Sequence, residues 1–389
     1  MNHTIIAQQF MAQFGKETGL QPEEKALSSR YLWTDAFAVC NYLALARQSG
    51  REEFLNLAVR LVDQVHEILG HHSDDDPRSG SISGLKEQEN RFHPTAGGLR
   101  IGKKLPERRP GEQFDERLEW ERDGQYYHYL TKWMHALCCL SAVTKNPTYT
   151  LWAAELAKRS HSAFCYAAAD GSKRMYWKMS IDLSRPQIDS MGHHDPLDGL
   201  ITAIEIRELC ARYPAQGGPI LDDDIKDLSD MCRGVNWATA DPLGLGTLLA
   251  DAWRLAQLQS LSAQISLPGL LSEMLNAAII GLSIYGKDET MQLPAIYRLA
   301  FRELGLAIGL QAIPRIESLA NREPDLFRSE SSLVPMLNDL KHYLQLQEQI
   351  ERFWLKTENR EVAIWTEHGD INTVMLATCL VPGGYLDLW

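Results

Sequence analysis

The chain has 389 residues, of which 44% are hydrophobic and 23% charged, and it carries a formal net charge of −12. Those proportions belong to a folded globule rather than a disordered or membrane-embedded chain, and the acidic balance argues against a nucleic-acid partner, which draws basic patches. The length alone suggests two domains, unless the chain grows as a ring of repeated units around one core.

Apolar residues recur at helical spacing almost throughout, and no convincing pair of alternating strands is found. In chain order the sequence predicts twelve helices, over residues 4–14, 30–48, 52–69, 126–144, 149–166, 196–212, 222–233, 242–259, 267–285, 294–312, 334–356 and 370–380. Their joins alternate in length. Ser49-Gly50-Arg51 and Lys145-Asn146-Pro147 are short and imply antiparallel neighbours. The joins 15–29, 70–125, 167–195 and 357–369 are long, which puts most elaborated loops at one end of the hairpins. The joins 213–221 and 313–333 depart from that alternation.

The even-numbered helices are rich in Ala, Leu and Cys, as in Phe37-Ala38-Val39-Cys40 and Ala136-Leu137-Cys138-Cys139-Leu140. Helices apolar nearly all round are buried. The odd-numbered ones carry charges such as Glu155, Lys158 and Arg159, so an inner and an outer layer follow. A faint repeat marks the inner starts: Asp195-Pro196-Leu197 opens one helix and Asp241-Pro242-Leu243 another. Asp before Pro reads as an N-cap followed by a favoured first helical residue.

Twelve helices in two layers, with long loops before the inner ones, resemble the six-hairpin glycosidase superfamily. The resemblance implies an all-α (α/α)6 toroid of six helical hairpins, with residues 1–389 forming one domain and a long insertion at about 70–125. The stretches Arg30-Tyr31-Leu32-Trp33-Thr34-Asp35-Ala36-Phe37 and Met191-Gly192-His193-His194-Asp195-Pro196-Leu197-Asp198-Gly199 also resemble a widespread bacterial family without an assigned activity. The toroid likeness is architectural, and an architecture does not fix a function.

In such a toroid the inner-helix N-termini share one face, where free N–H groups and dipole ends favour polar or anionic ligands. The residues near those ends are therefore the site candidates. Around the second helix they are Arg30, Tyr31, Trp33 and Asp35, and around the fourth Glu119, Glu121, Asp123, Tyr126, Tyr127 and His128, with Lys132 and His135 on the same helical face as His128. The densest group precedes the sixth helix: Trp177, Lys178, His193, His194, Asp195 and Asp198. Glu367, His368 and Asp370 precede the twelfth.

Asp35, His128, His194, Asp195, Asp198, Glu367 and Asp370 are the catalytic candidates, and Arg30, Trp33, Tyr127, Trp177, Lys178, His193 and His368 the substrate-binding ones. Each carboxylate has a plainer reading as a helix cap or dipole partner, Asp195 above all, and each histidine as a satisfied core residue. Glycoside hydrolysis needs two carboxyl groups across one bond. Sugar epimerisation needs proton-transfer groups, for which His128, His194 and His368 are candidates. The leading expectation is a carbohydrate-active, glycoside hydrolase-like enzyme. A sugar epimerase or isomerase and a non-catalytic binding or scaffold toroid remain the alternatives.

Other signals carry less. Gly97-Gly98-Leu99-Arg100-Ile101-Gly102-Lys103 fits a P-loop spacing, but Lys104 stands where Ser or Thr is needed and no strand precedes it. Seven cysteines show no C-x-x-C pair, which implies no metal and no disulfide framework and points to a reducing compartment. No cofactor is expected. Residues 1–19 lack a signal-peptide pattern and no apolar run reaches a bilayer's width, so a cytoplasmic protein without a membrane contact is expected. The expected partner is a small-molecule or oligosaccharide ligand, with no nucleic acid. In the insertion, 71–84 reads as mobile, and Phe92, Phe114 and Trp120 read as anchors of a cover over the site.

Overall fold

Residues 2–20, 30–213, 218–262, 264–287, 289–328, 330 and 332–388 are described in a computed structural model. The helices are α1 (His3–Glu17), α2 (Leu32–Ser49), α3 (Glu52–Leu69), α4 (Tyr127–Thr144), α5 (Pro147–Phe164), α6 (Asp195–Arg212) and α7 (Asp222–Cys232). They continue as α8 (Pro242–Leu261), α9 (Leu270–Tyr285), α10 (Ala300–Leu310), α11 (Ala312–Arg322), α12 (Leu333–Lys341), α13 (Leu344–Leu355) and α14 (Gly369–Leu380). Short helical turns lie between them, among them Glu87–Asn90, Glu116–Glu121 and Ala363–Glu367.

Three differences from expectation have local causes. The helix expected over 294–312 begins only at Ala300, because Arg298 turns inward to a buried pair with Glu303 (2.6 Å) and to the Met291 carbonyl (3.1 Å). The join 313–333 contains α11; its Pro314 stands in the first turn, where the missing N–H is not needed. The helix expected over 334–356 is broken at His342-Tyr343 into α12 and α13.

Five short strands also appear where none was expected. β1 (Gln125–Tyr126), β4 (Lys178–Met179) and β5 (Pro186–Ile188) form an antiparallel sheet in the order β1-β4-β5. β2 (Cys165–Ala167) and β3 (Lys173–Met175) form a hairpin. At two or three residues each, they are too short to show an alternating pattern.

The chain divides into two compact units, Gly15–Gly234 and Met1–Phe14 with Val235–Leu388. In the first, α2 packs beside α4 and α4 beside α6, each backed by the helix that follows it. These inner helices are sequestered: every residue of α2 from Leu32 to Leu45 is buried. The backing helix α3 instead buries one stripe, Phe54, Ala58, Leu61, Val62, Val65 and Leu69, at the period of an amphipathic helix. In the second unit α8 packs on α10 and α10 on α14, with α9, α11 and α13 outside them. The α8–α10 crossing brings backbone to backbone: a Cβ on Gly246 would stand 2.0 Å from the Gly305 carbonyl oxygen.

The 70–125 segment is held in a way the sequence did not suggest. Phe92, Phe114 and Trp120 are exposed at 71%, 50% and 49%, so the first two do not anchor it. Its fixed points are the buried Leu99 and Ile101, and Arg100, which is bound to Asp123 (2.6 Å) and to the carbonyls of Ile68 and His71. The 71–84 stretch is tied down by Arg78, which reaches Asp76, Glu107 and Asp182. Among the described residues no helix is long and apolar enough to cross a membrane.

Candidate active site

The N-terminal ends of α2, α4 and α6 carry the polar and aromatic residues of the Gly15–Gly234 unit. The β1–β4 pairing builds the framework. Tyr127 N–H donates to the Trp177 carbonyl (3.1 Å), and Trp177 N–H to that of Ser190 (3.2 Å). Tyr126 and Trp177 are thereby stacked at 5.0 Å and 12°, and His128, the second residue of α4, stacks on Tyr126 at 5.4 Å and 13°. Tyr129 meets His128 edge-on at 4.9 Å and hydrogen-bonds through its hydroxyl to that of Tyr31 (2.7 Å). Trp120 lies against Trp177 at 4.9 Å, so the 70–125 segment does reach this aromatic group. Tyr31, His128, Tyr129 and Trp177 are each partly open.

Behind His128 stands Asp195, with its Oδ1 3.6 Å from the imidazole Nδ1. That separation is within reach of an ion pair but longer than a hydrogen bond. The imidazole side chain is 36% exposed and the carboxyl 7%. Among the described residues, Oδ2 of Asp195 and the hydroxyl of Tyr126 are buried without a hydrogen-bond partner. Burial, with Asp198 adding to it, raises the Asp195 carboxyl to about 8. Burial and the nearby Lys132 lower His128 to about 4. Near neutral pH the pair thus holds one proton, on the carboxyl, and the imidazole is free to accept one.

Asp195 is not the cap that its sequence suggests. His194 occupies the N-cap position without a side-chain bond that caps the helix, and Asp195 is the first residue of α6. Its carboxyl is packed against Gly192, where a Cβ would come within 2.2 Å of Oδ2. The similar Asp241 does cap its helix, accepting from Gly244 N–H (2.7 Å). Asp198 is also buried, and its Oδ2 accepts from Lys132 Nζ (2.7 Å) and Thr131 Oγ1 (2.5 Å). Lys132 and Thr131 so neutralise and satisfy it.

The remaining candidates of this unit fall into two groups. His193 and His194 stay near the site entrance of α6, their rings 4.6 Å apart. The others are built into the frame. Asp35 accepts from Arg30 (3.2 Å) and from Tyr31 N–H (3.0 Å), and Arg30 also binds the Thr18 carbonyl. Trp33 is buried against Phe37 and Tyr129. Tyr127 is buried and meets Phe164 edge-on (5.3 Å), on the side of Gly199. Lys178 is wholly buried on Glu119 (3.1 Å) and the Arg122 carbonyl (3.0 Å), 5.4 Å from the Tyr126 ring. Burial lowers its ammonium to about 8.

In the Val235–Leu388 unit, Glu367, His368 and Asp370 are exposed around the start of α14. Trp365 is buried against Trp354 (5.5 Å), and His368 meets Phe301 edge-on (5.4 Å). Asn372 ties this region together, donating to the Trp365 carbonyl and accepting from Phe301 N–H (both 3.0 Å). Of the aromatic residues here, Tyr129 was missing from the candidate residues. The run Tyr126-Tyr127-His128-Tyr129 at a helix start was its signal.

No protein-family model and no curated protein matches the chain. Among solved structures it is similar to the GH76A alpha-1,6-mannanase from Salegentibacter sp. HEL1_6, with a TM-score of 0.53 and 10% identity over 100% of both chains. The fold class is the all-α (α/α)6 one. Two further similar structures are the cellobiose 2-epimerase from Spirochaeta thermophila DSM 6192 and a sugar epimerase from a ruminal bacterium. The first has a TM-score of 0.48 and 11% identity, covering 98% of this chain and 97% of that one. The second has a TM-score of 0.48 and 10% identity, covering 89% and 87%.

Proposed function

We propose that the protein is a carbohydrate-active enzyme in which His128 moves a proton at a sugar held against Tyr31, Tyr129 and Trp177. The observation that carries this reading is the half-open, stacked imidazole of His128 with the buried, proton-bearing Asp195 3.6 Å behind it. Aromatic faces suit the apolar C–H face of a sugar ring, and an imidazole kept neutral is a general base ready near neutral pH. Asp195 stands where it can orient that imidazole. Catalytic contacts commonly shorten when substrate binds, so the pair would close on a ligand. The unpartnered Tyr126 hydroxyl stands beside the same imidazole. The (α/α)6 fold shared with a mannanase agrees with a sugar substrate.

Proton transfer at a sugar carbon, the chemistry of an epimerase or isomerase, uses this arrangement most directly. His128 takes the proton from the carbon next to an open-chain carbonyl and returns it to the neighbouring carbon of the enediolate, as in an isomerase; epimerisation needs a second proton donor on the opposite face. A second reading, glycoside hydrolysis, is favoured by one feature: Asp195 is held protonated while Asp198, one turn on, is paired with Lys132 at 2.7 Å. Both carboxyls are buried, which supports the imidazole as the group that meets substrate.

Incubation with reducing mono- and disaccharides in heavy water, followed by proton NMR, separates the readings. Deuterium entering at a sugar carbon, abolished in His128→Asn, supports proton transfer. Release of new reducing ends from oligosaccharides, abolished in Asp195→Asn, supports hydrolysis. Neither product with any sugar that binds would leave a binding protein.

A further inference from the structure

Away from that site, the inner helices of the Gly15–Gly234 unit bring together a second set of reactive side chains. Cys40 comes from α2, His135 and Cys139 from α4, and Glu205 from α6. Cys40, His135, Cys139 and Glu205 are 1%, 0%, 7% and 0% exposed. His135 and Cys139 stand four residues apart, on one face of their helix. The two sulfurs and one ring nitrogen of His135 all lie within 4.8 Å of one another, with Cys139 Sγ 3.6 Å from Nε2.

Glu205 decides what that nitrogen can do. Both of its oxygens face His135 Nδ1, at 2.9 and 3.0 Å. A carboxylate there holds the ring proton on Nδ1 and leaves the Nε2 lone pair facing Cys139 Sγ. Metal-binding histidines are commonly oriented in this way, by a carboxylate on the other nitrogen. Zinc bonds of about 2.3 Å to sulfur and about 2.0 Å to nitrogen put neighbouring tetrahedral donors about 3.5 Å apart, which matches the 3.6 Å observed. A buried thiol is ordinarily a small hydrophobe, and a buried His–Glu pair is ordinarily an ion pair. Neither accounts for a second thiol, Cys40, gathered with Cys139 and the imidazole within 4.8 Å.

We propose that Cys40, His135 and Cys139 bind one zinc(II) ion through two thiolates and one imidazole, with Glu205 as the positioning residue. Thiolate and imidazole donors select a borderline-soft ion over magnesium or calcium. Binding replaces the two thiol protons by the metal. The ion would clamp α2 to α4 inside the unit, a structural role independent of the sugar site. Because the donors are sealed from solvent, loading would accompany folding. The ligands lie on helices far apart in sequence, which is why no C-x-x-C pattern announces them.

The test grows the protein in zinc-supplemented medium, purifies it under reducing conditions and measures metal by mass spectrometry of the elements. One zinc per chain is expected, released stoichiometrically when a mercurial titrates the thiols. Cobalt-grown protein should show a thiolate-to-cobalt charge-transfer band. Cys40→Ser and Cys139→Ser should each lose the zinc and the band, and Glu205→Gln should weaken retention against a chelator. Zinc at background in the wild-type protein would overturn the proposal. So would undiminished zinc in the Cys40→Ser/Cys139→Ser variant, or a Cys40–Cys139 disulfide in the purified wild-type chain. The mercurial release and the cobalt spectrum need no variant, so a misfolded mutant does not remove the test.

Discussion

Oδ1 of Asp195 lies 3.6 Å from Nδ1 of His128, while Oδ2 of the same carboxyl is pressed against Gly192 without a hydrogen-bond partner among the described residues. A carboxyl so placed resists ionisation, and stability must depend on pH. The folded chain keeps the Asp195 proton up to about 8, whereas the unfolded chain gives it up near 3.9. The stability this contributes is complete below about 4 and is lost as pH rises to about 8. His128 acts in the opposite sense: its folded value of about 4 costs stability as pH falls from about 6.5 to about 4. Asp195→Asn removes the first dependence and keeps the second. Its melting temperature relative to wild type should climb across the Asp195 window by at least about 2 °C, measured by calorimetry. A flat difference would show that the carboxyl ionises freely.

Lys132 and Asp198 form a buried pair, their side chains 4% and 2% exposed. Removing one partner strands the other's charge. Lys132→Met should lower the unfolding free energy by about 3–5 kcal/mol, measured by urea denaturation. Lys132→Met with Asp198→Asn should recover most of that loss. Equal instability of single and double variants would place the cost in packing instead.

The aromatic group predicts a graded effect on ligands. Trp177→Ala removes the ring stacked 5.0 Å from Tyr126 and should weaken sugar binding about 10-fold, from about 0.5–1.5 kcal/mol of aromatic contact. Trp177→Phe should retain most of the affinity. Isothermal titration checks both, and an unchanged affinity in Trp177→Ala would move the sugar elsewhere.

The α8–α10 crossing depends on bare backbone. Gly246→Ala places a methyl group 2.0 Å from the Gly305 carbonyl and should cost about 1–3 kcal/mol or more through helix displacement. Gly369→Ala, with nothing within 4 Å of its added carbon, is the control and should be close to neutral. Thermal melts of the two variants should separate them clearly.

Sequence periodicity marked most of the long helices because burial writes itself into apolar spacing. The stripe of α3 matches its expected range, 52–69, at both ends. It failed where a single side chain overrides the pattern. Arg298 swings into the core and delays α10, and nothing in its neighbours' polarity announces that. The helix α11 lies in what was read as the join 313–333, with Pro314 in its first turn, where proline is tolerated. At the site, His128 and Asp195 were legible from their places at helix starts. That Asp35 and Lys178 serve the frame was not legible, since their partners Arg30 and Glu119 matter only through orientation. The Cys40, His135 and Cys139 cluster needed three-dimensional contact to appear at all.

The pairing of β1 with β4 has a consequence for how this surface can change over generations. Tyr126 and Trp177 are set in place by main-chain bonds between segments fifty residues apart, and those bonds do not depend on which side chains the strands carry. The half-open Trp177 position therefore behaves as a socket in a fixed frame. Its ring can be exchanged for other groups while the buried Tyr126 keeps the imidazole of His128 stacked where it is. Such an arrangement lets ligand preference drift by point substitution without first rebuilding the scaffold, which is a route for one helical framework to serve several sugars.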